Sequence, residues 1–133
     1  MNDLIEFLTQ NPICFFATTE KGKPRVRPIG FQFFENGKFF FITSNQKEMW
    51  RQITETPYVE FSSVSKDMTT LRVRGDVAFS DDIKKKEKAL LKSPSAQKIY
   101  KSAENPQLEL LYVHSGEAII FDLPGNKKKA LNF

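Results

Sequence analysis

Residues 39–43, Phe-Phe-Phe-Ile-Thr, are apolar at all but the last position and follow Asn36-Gly37. Successive side chains of a β-strand point to opposite faces, so a strand of this composition must be covered on both sides. The Asn-Gly pair favours a tight two-residue hairpin, which places an antiparallel partner immediately upstream. That partner lies between Pro24 and Phe34, with Arg25, Arg27, Ile29, Phe31 and Phe33 on one face if the alternation holds. Pro28 cannot donate to a ladder and Gly30 invites a bulge, so part of this strand is an edge or a bend. On this reading Pro28 marks where the strand leaves its ladder.

Hairpin spacing dominates the rest of the chain. Residues 13–19 read as an apolar strand ending in a turn at 20–23, and 58–64 as another strand. Residues 69–80 alternate, with Leu71, Val73, Val77 and Phe79 on one face and Arg72, Arg74 and Asp76 on the other. The runs ELLYVH and EAIIFDL read as the last two strands, joined at Ser115-Gly116. Helical patterns occupy residues 2–10, a segment opened by an Asn45/Glu48 capping box with Met49, Trp50 and Ile53 as its apolar stripe, and 81–101, broken at Pro94. No βαβ pattern repeats, so the expected fold is mainly β, an antiparallel barrel or sandwich with peripheral helices. The 133 residues form one domain, 1–133, with a core over 1–123 and a basic tail at 124–133.

Composition narrows the function classes. The net charge of +4 comes largely from lysines between Lys84 and Lys101 and from Lys127, Lys128 and Lys129. A lysine-rich helical face reads as solvated, so no nucleic-acid partner is expected. Cys14 is the single cysteine, which excludes an internal disulfide and a Cys-rich metal site. It reads as a buried, inert thiol. No apolar run approaches the ~20 residues that span a bilayer and no signal peptide is visible, so the expected location is cytoplasmic. His114, the only histidine, has no serine or carboxylate at a recognisable spacing and reads as structural.

The junction from Thr43 to Lys47 carries the chemistry. The leading amides of a helix lack internal partners and carry the positive end of its dipole, which suits an anion. Thr43 and Ser44 add hydroxyls and Lys47 a point charge, while Arg25 or Arg27 could supply a forked guanidinium across the hairpin. An ordinary capped helix with Lys47 in solvent is the plainer alternative. Most of the thirteen phenylalanines read as core, although some could wall a flat ligand.

The segment from Gly22 to Ser63 resembles the pyridoxamine 5′-phosphate oxidase-like, FMN-binding split-barrel family. The resemblance lies in the Pro-x-Val-x-Pro strand, the Asn-Gly hairpin, the hydrophobic-Thr…Lys junction, the Pro-x-Val-x-Phe strand after the helix and the later RVRGDVAF strand. It covers residues 1–123 and is strongest toward the small single-domain members, including the nitroimidazole-resistance type. The resemblance implies an antiparallel Greek-key split barrel of six or so strands, a homodimer with FMN at the interface, and no membrane association. Carried over by position, Arg25, Val26, Arg27, Pro28 and Ile29 would run along the flavin and reach its phosphate. Thr43, Ser44 and Lys47 would hold the phosphate with Gln46 nearby, and Phe61 would belong to the ring environment. Arg72 or Arg74 would contribute from the facing strand or the partner subunit. The family's pyridoxamine-phosphate oxidases close with an Arg/His-containing segment, where this sequence has LPGNKKKALNF. The implied function is an FMN-dependent oxidoreductase acting on a small molecule, of the nitroreductase-like kind, with a non-catalytic flavin or haem binding or sensor protein as the alternative. No metal site is expected.

Overall fold

In the computed structural model, which describes residues 1–133, β4 (Lys38–Ser44) is buried on both faces as its composition requires. Phe39 and Phe41 point into a barrel core with Phe16, Phe31 and Phe61. Phe40 and Ile42 point outward, beneath α3 (Ile83–Lys92) and α4 (Pro94–Tyr100). The inner rings pack edge-to-face, Phe16 on Phe41 at 5.1 Å and Phe41 on Phe61 at 5.0 Å between centroids. Phe61 and Phe16 stack in parallel at 5.7 Å. Each such ring stabilises the fold by about 1.5–3 kcal/mol through burial, and ring pairing adds to this.

The chain order is α1 (Asn2–Gln10), β1 (Ile13–Glu20), β2 (Lys23–Gly30), β3 (Phe33–Glu35), β4, α2 (Glu48–Glu55), β5 (Tyr58–Val64), β6 (Thr70–Ser80), α3, α4, β7 (Leu108–Phe121) and β8 (Lys127–Asn132). All pairings are antiparallel, in the spatial order β2-β1-β5-β6-β7-β4-β3, with β8 also on β7. The fold is the expected mainly-β split barrel with peripheral helices, built from eight strands. The two ends of this order, β2 and β3, are consecutive in the chain and close the barrel only through the Phe31-Gln32 link. Asn36 and Gly37 turn the β3–β4 hairpin with φ of 50° and 74°, the left-handed values that an Asn-Gly turn supplies.

Three expectations are corrected. First, β2 does not leave its ladder at Pro28. The pairing runs through Phe15↔Pro28 to Ile13↔Gly30, and the break falls at Phe31-Gln32. β2 is an edge strand, where a residue without an N–H is tolerated. Second, Ser115-Gly116 is not a hairpin but a bulge within one long strand, β7. Gly75 alone faces both residues as the pairing passes from Arg74↔Glu117 to Asp76↔His114. Ser115 takes φ of 51°, and a Cβ on Gly116 would lie 1.9 Å from the Arg74 carbonyl oxygen. Third, residues 127–132 of the basic tail form β8, which extends the β7 edge past the end of β4. Phe133 exchanges two backbone bonds with Gly116 and packs on Phe39 at 4.9 Å.

Gly116→Ala is expected to destabilise the protein by about 3 kcal/mol, because backbone rather than a side-chain tip must yield. A melting temperature lower by roughly 10 °C in a thermal scan would show it. Burial pushes the Cys14 thiol up to about 12, so the native protein at pH 8 should leave a thiol-reactive dye unlabelled until denaturant is added.

Candidate binding site at the seam of the barrel

Because β2 pairs only with β1, and β3 reaches β4 only at Lys38–Phe40, the far half of β4 has no partner on that side. The gap is a cavity of about 500 Å³, lined by Arg25–Ile29 of β2, Ile42 and Thr43 of β4, and Lys47, Glu48 and Met49 at the start of α2. Its size falls within the range of small-molecule and cofactor sites. Apolar walls (Val26, Pro28, Ile29, Ile42 and Met49) and three cationic side chains meet there.

The expected capping box does not form. Asn45 donates through Nδ2 to the Pro106 carbonyl at 2.8 Å, and its backbone N–H goes to Gln107. These bonds tie the β4–α2 loop to the turn before β7; Asn45 Oδ1 accepts from Gln46 Nε2 at 2.7 Å and the cap position falls two residues later, so Asn45 does not cap. Lys47 occupies the cap position with no side-chain bond to the helix amides. The positive end of α2 thus opens on the cavity uncapped, beside Thr43 and Lys47. Glu48 is the only carboxylate on the cavity wall.

The two arginines of β2 are held differently. Arg25 is exposed and lies 3.5 Å from Glu20, whose carboxyl is held below the usual range chiefly by a hydrogen bond from Arg51. Arg27 is half-buried and fixed at three points. Its Nη1 donates to the Phe16 carbonyl at 3.1 Å and to Thr18 Oγ1 at 2.8 Å, and its Nη2 donates to Gln52 Oε1 at 2.7 Å. Thr18 Oγ1 in turn donates to Gln52 Oε1 at 2.5 Å. Burial lowers the pKa of Arg27 from the ordinary arginine value, with the charge of Glu48 opposing the shift. Gln52 is 1% exposed and its Nε2 has no hydrogen-bond partner. The Glu20 carboxylate is the nearest candidate acceptor, since the Gln52 side chain contributes to holding Glu20 low, but no hydrogen bond of ordinary geometry joins them. An unpaired buried amide costs on the order of 1–3 kcal/mol.

Of the residues the sequence singles out, Arg25, Val26, Arg27, Pro28, Ile29, Thr43 and Lys47 meet on the cavity wall. Ser44 is buried on the other face of β4, where its Oγ accepts the Gln46 N–H at 3.1 Å and Tyr100 lies against it. Gln46 is exposed and bonds to Asn45. Phe61 is sealed in the barrel core. Arg72 and Arg74 both point outward from β6, paired with Glu60 and Glu117, and neither reaches the cavity. His114 shares a 2.8 Å hydrogen bond with Ser115 outside the cavity. Ile42, Glu48 and Met49 also line the wall, and Thr18 and Gln52 stand behind Arg27. Gln52 had a legible signal, as a polar residue one helical turn from Met49 on an otherwise apolar stripe.

The sequence matches the pyridoxamine 5′-phosphate oxidase family over residues 3–120, nearly the whole chain. The chain belongs to this family. No curated protein matches it closely. Among solved structures, this family member is similar to a NimC/NimA family protein from Clostridium acetobutylicum, at 32% identity and a TM-score of 0.89, covering 100% of this chain and 92% of that one. It shares the fold of a pyridoxamine 5′-phosphate oxidase-related, FMN-binding protein from Nostoc punctiforme (17% identity, TM-score 0.72, 98% of this chain and 86% of that one). It also shares the fold of a heme-binding protein from Mycobacterium smegmatis (13%, 0.72), covering 96% of this chain and 54% of that one. No helix is long and apolar enough to cross a membrane, and no cluster of three or more His, Cys, Asp or Glu could hold a metal ion.

Glu48→Gln removes the one negative charge from the cavity wall. Its affinity for inorganic phosphate, read by isothermal titration, is expected to rise roughly threefold, as for a partly screened pair. An unchanged affinity would show that Glu48 points away from the bound anion.

Proposed function

We propose that the protein binds FMN in the seam between β2, β4 and α2 and acts as a flavin-dependent oxidoreductase on a small molecule. One observation carries the reading. The uncapped start of α2 meets Thr43, Lys47, Arg25 and Arg27 in one cavity, a donor set that suits an anion, and Val26, Pro28, Ile29, Ile42 and Met49 give the same cavity apolar wall. FMN joins a phosphate dianion to a flat ring, so the donor set and the walls fit its two parts. In this assignment Lys47, Thr43 and the leading amides of α2 hold the phosphate, with Arg25 released from Glu20 to join them. Val26, Pro28, Ile29 and Met49 exclude water from the ring. Ser44 and Gln46 shape the turn that presents the helix start rather than touching the ligand, and Phe61 supports the wall from within the core. When bound, FMN would supply the electron transfer.

The proposed assembly is a homodimer with the cofactor at the interface. The outer face of β1, β2 and β5 supports it, since Ile13, Phe15, Val26 and Tyr58 are 57%, 48%, 67% and 50% exposed beside the cavity. Val26 and Pro28 belong to both the cavity wall and this face. A haem reading gains nothing from His114, which lies outside the cavity.

The absorbance spectrum of the purified protein, followed by FMN titration, tests the reading. Flavin bands and a melting temperature raised by FMN are expected, and a colourless protein whose melting temperature ignores FMN would end it. Lys47→Ala should weaken FMN binding at least tenfold while leaving the melting temperature of the free protein nearly unchanged. Turnover of NAD(P)H with nitroaromatic or quinone acceptors separates an enzyme from a flavin carrier.

A further inference from the structure

The hydrogen bonds of Arg27 leave one edge of its guanidinium free. Nη1 spends both of its N–H groups, on Phe16 and Thr18, and Nη2 spends one, on Gln52. Thr18 Oγ1 and Gln52 Oε1 are 2.5 Å apart, so both sit on the end of the fork shared by Nη1 and Nη2. The unused donors are therefore Nε–H and the second Nη2–H, which lie parallel along the side of the guanidinium. No hydrogen bond uses that edge, and Arg27 lines the cavity.

Two features separate this edge from the anion site. Gln52, which fixes Arg27, lies four residues past Glu48, so it stands roughly 6 Å along α2 from the helix start. Arg27 is also held rigidly among apolar wall residues with no carboxylate within salt-bridge distance, whereas Arg25 is exposed and paired with Glu20. A fixed, half-desolvated pair of parallel donors suits two acceptors side by side on a flat, mostly apolar group.

We propose that Arg27 recognises the ring of the flavin rather than its phosphate, through the adjacent N1 and C2 carbonyl acceptors, and that Thr18 and Gln52 are the positioning residues that aim it. The inference rests on the FMN reading above and deepens it. It also gives a reason for the buried, unpartnered amide of Gln52. Leucine would fill the same stripe position without that cost but could not hold the guanidinium. A fixed cation beside N1 favours the reduced flavin, where negative charge accumulates, so Arg27 would also raise the potential of the bound cofactor.

Riboflavin, which has the ring but no phosphate, separates the two ends of the site. Dissociation constants for FMN and riboflavin are measured by flavin fluorescence for wild type, Arg27→Gln, Arg27→Lys, Gln52→Leu and Lys47→Ala. Arg27→Gln is expected to weaken both ligands by the same factor, about tenfold. Lys47→Ala should weaken FMN alone. Gln52→Leu should weaken both ligands by the same factor, about threefold, and lower the midpoint potential in the same direction as Arg27→Gln, with a slightly lower melting temperature because Thr18 Oγ1 and Arg27 Nη2 lose their acceptor. The midpoint potential of bound FMN should fall by about 30 mV in Arg27→Gln, the shift for a tenfold change in the ratio of reduced to oxidised affinity. Arg27→Lys keeps the charge without the fork, and it decides the matter should the glutamine variant not fold. Loss of FMN but not riboflavin affinity in either variant would make Arg27 a phosphate contact and overturn the inference. Unchanged affinity and potential would overturn it too. Both results leave the FMN reading standing, whereas a wild-type protein that binds neither flavin removes that reading itself.

Discussion

The structure depends on the unequal edges of β4. One edge is paired with β7 over six residues, Phe39 to Ser44, and fastens the strand into the barrel. The other is paired only where β3 passes, at Lys38–Phe40. Closing the barrel fully would require the free edge of β2 to pair with the far half of β4, but β2 bonds only to β1, over eight residues, and its other edge stays unpaired. Two aromatic layers hold β4 in place regardless, the inner rings around Phe41 and Phe61 and the outer packing of Phe40 and Ile42 beneath α3 and α4. The barrel can therefore leave one seam open without losing the strand beside it.

Everything at the candidate site follows from that seam. The edge of β2 faces a helix start rather than another strand, so polar side chains along Arg25–Ile29 confront an uncapped set of amides. Asn45, the residue best suited to cap α2, bonds to Pro106 and Gln46 instead, two residues before the cap position. The same geometry brings α2 against the inner face of β1 and β2, where Gln52 meets Thr18 and Arg27. A buried polar network of this kind needs nearly every group satisfied, and the one orphan, Gln52 Nε2, lies directly behind the site.

Local pattern made much of this legible. Double-faced apolarity identified β4 as a covered strand, the Asn-Gly pair placed the β3–β4 hairpin, and the alternation at 71–79 separated the core face of β6 from its outer face. Failures came where local chemistry and tertiary context diverged. Ser115-Gly116 has the composition of a turn, but the tight crossing of β7 over Arg74 and Gly75 uses it as a bulge. Asn45 and Glu48 have the spacing of a cap, yet Asn45 donates to a carbonyl 61 residues away and the cap position falls past it. The lysines of the tail hide the alternation that places Leu131 and Phe133 against the core.

The sequence by itself determined the antiparallel class, the two helical segments after β6 and the junction at Thr43–Lys47, because each is set by side-chain periodicity and turn chemistry within a dozen residues. Only the tertiary structure decided which of these residues face one another. Strand parity cannot tell Ser44, turned toward Tyr100, from Thr43, turned toward the cavity, until the barrel interior is known. Nor could it show that Arg25 is loosely paired at the surface while Arg27 is clamped by Thr18 and Gln52. Those partners lie on other elements, and their bonds exist only once β1, β2 and α2 have packed.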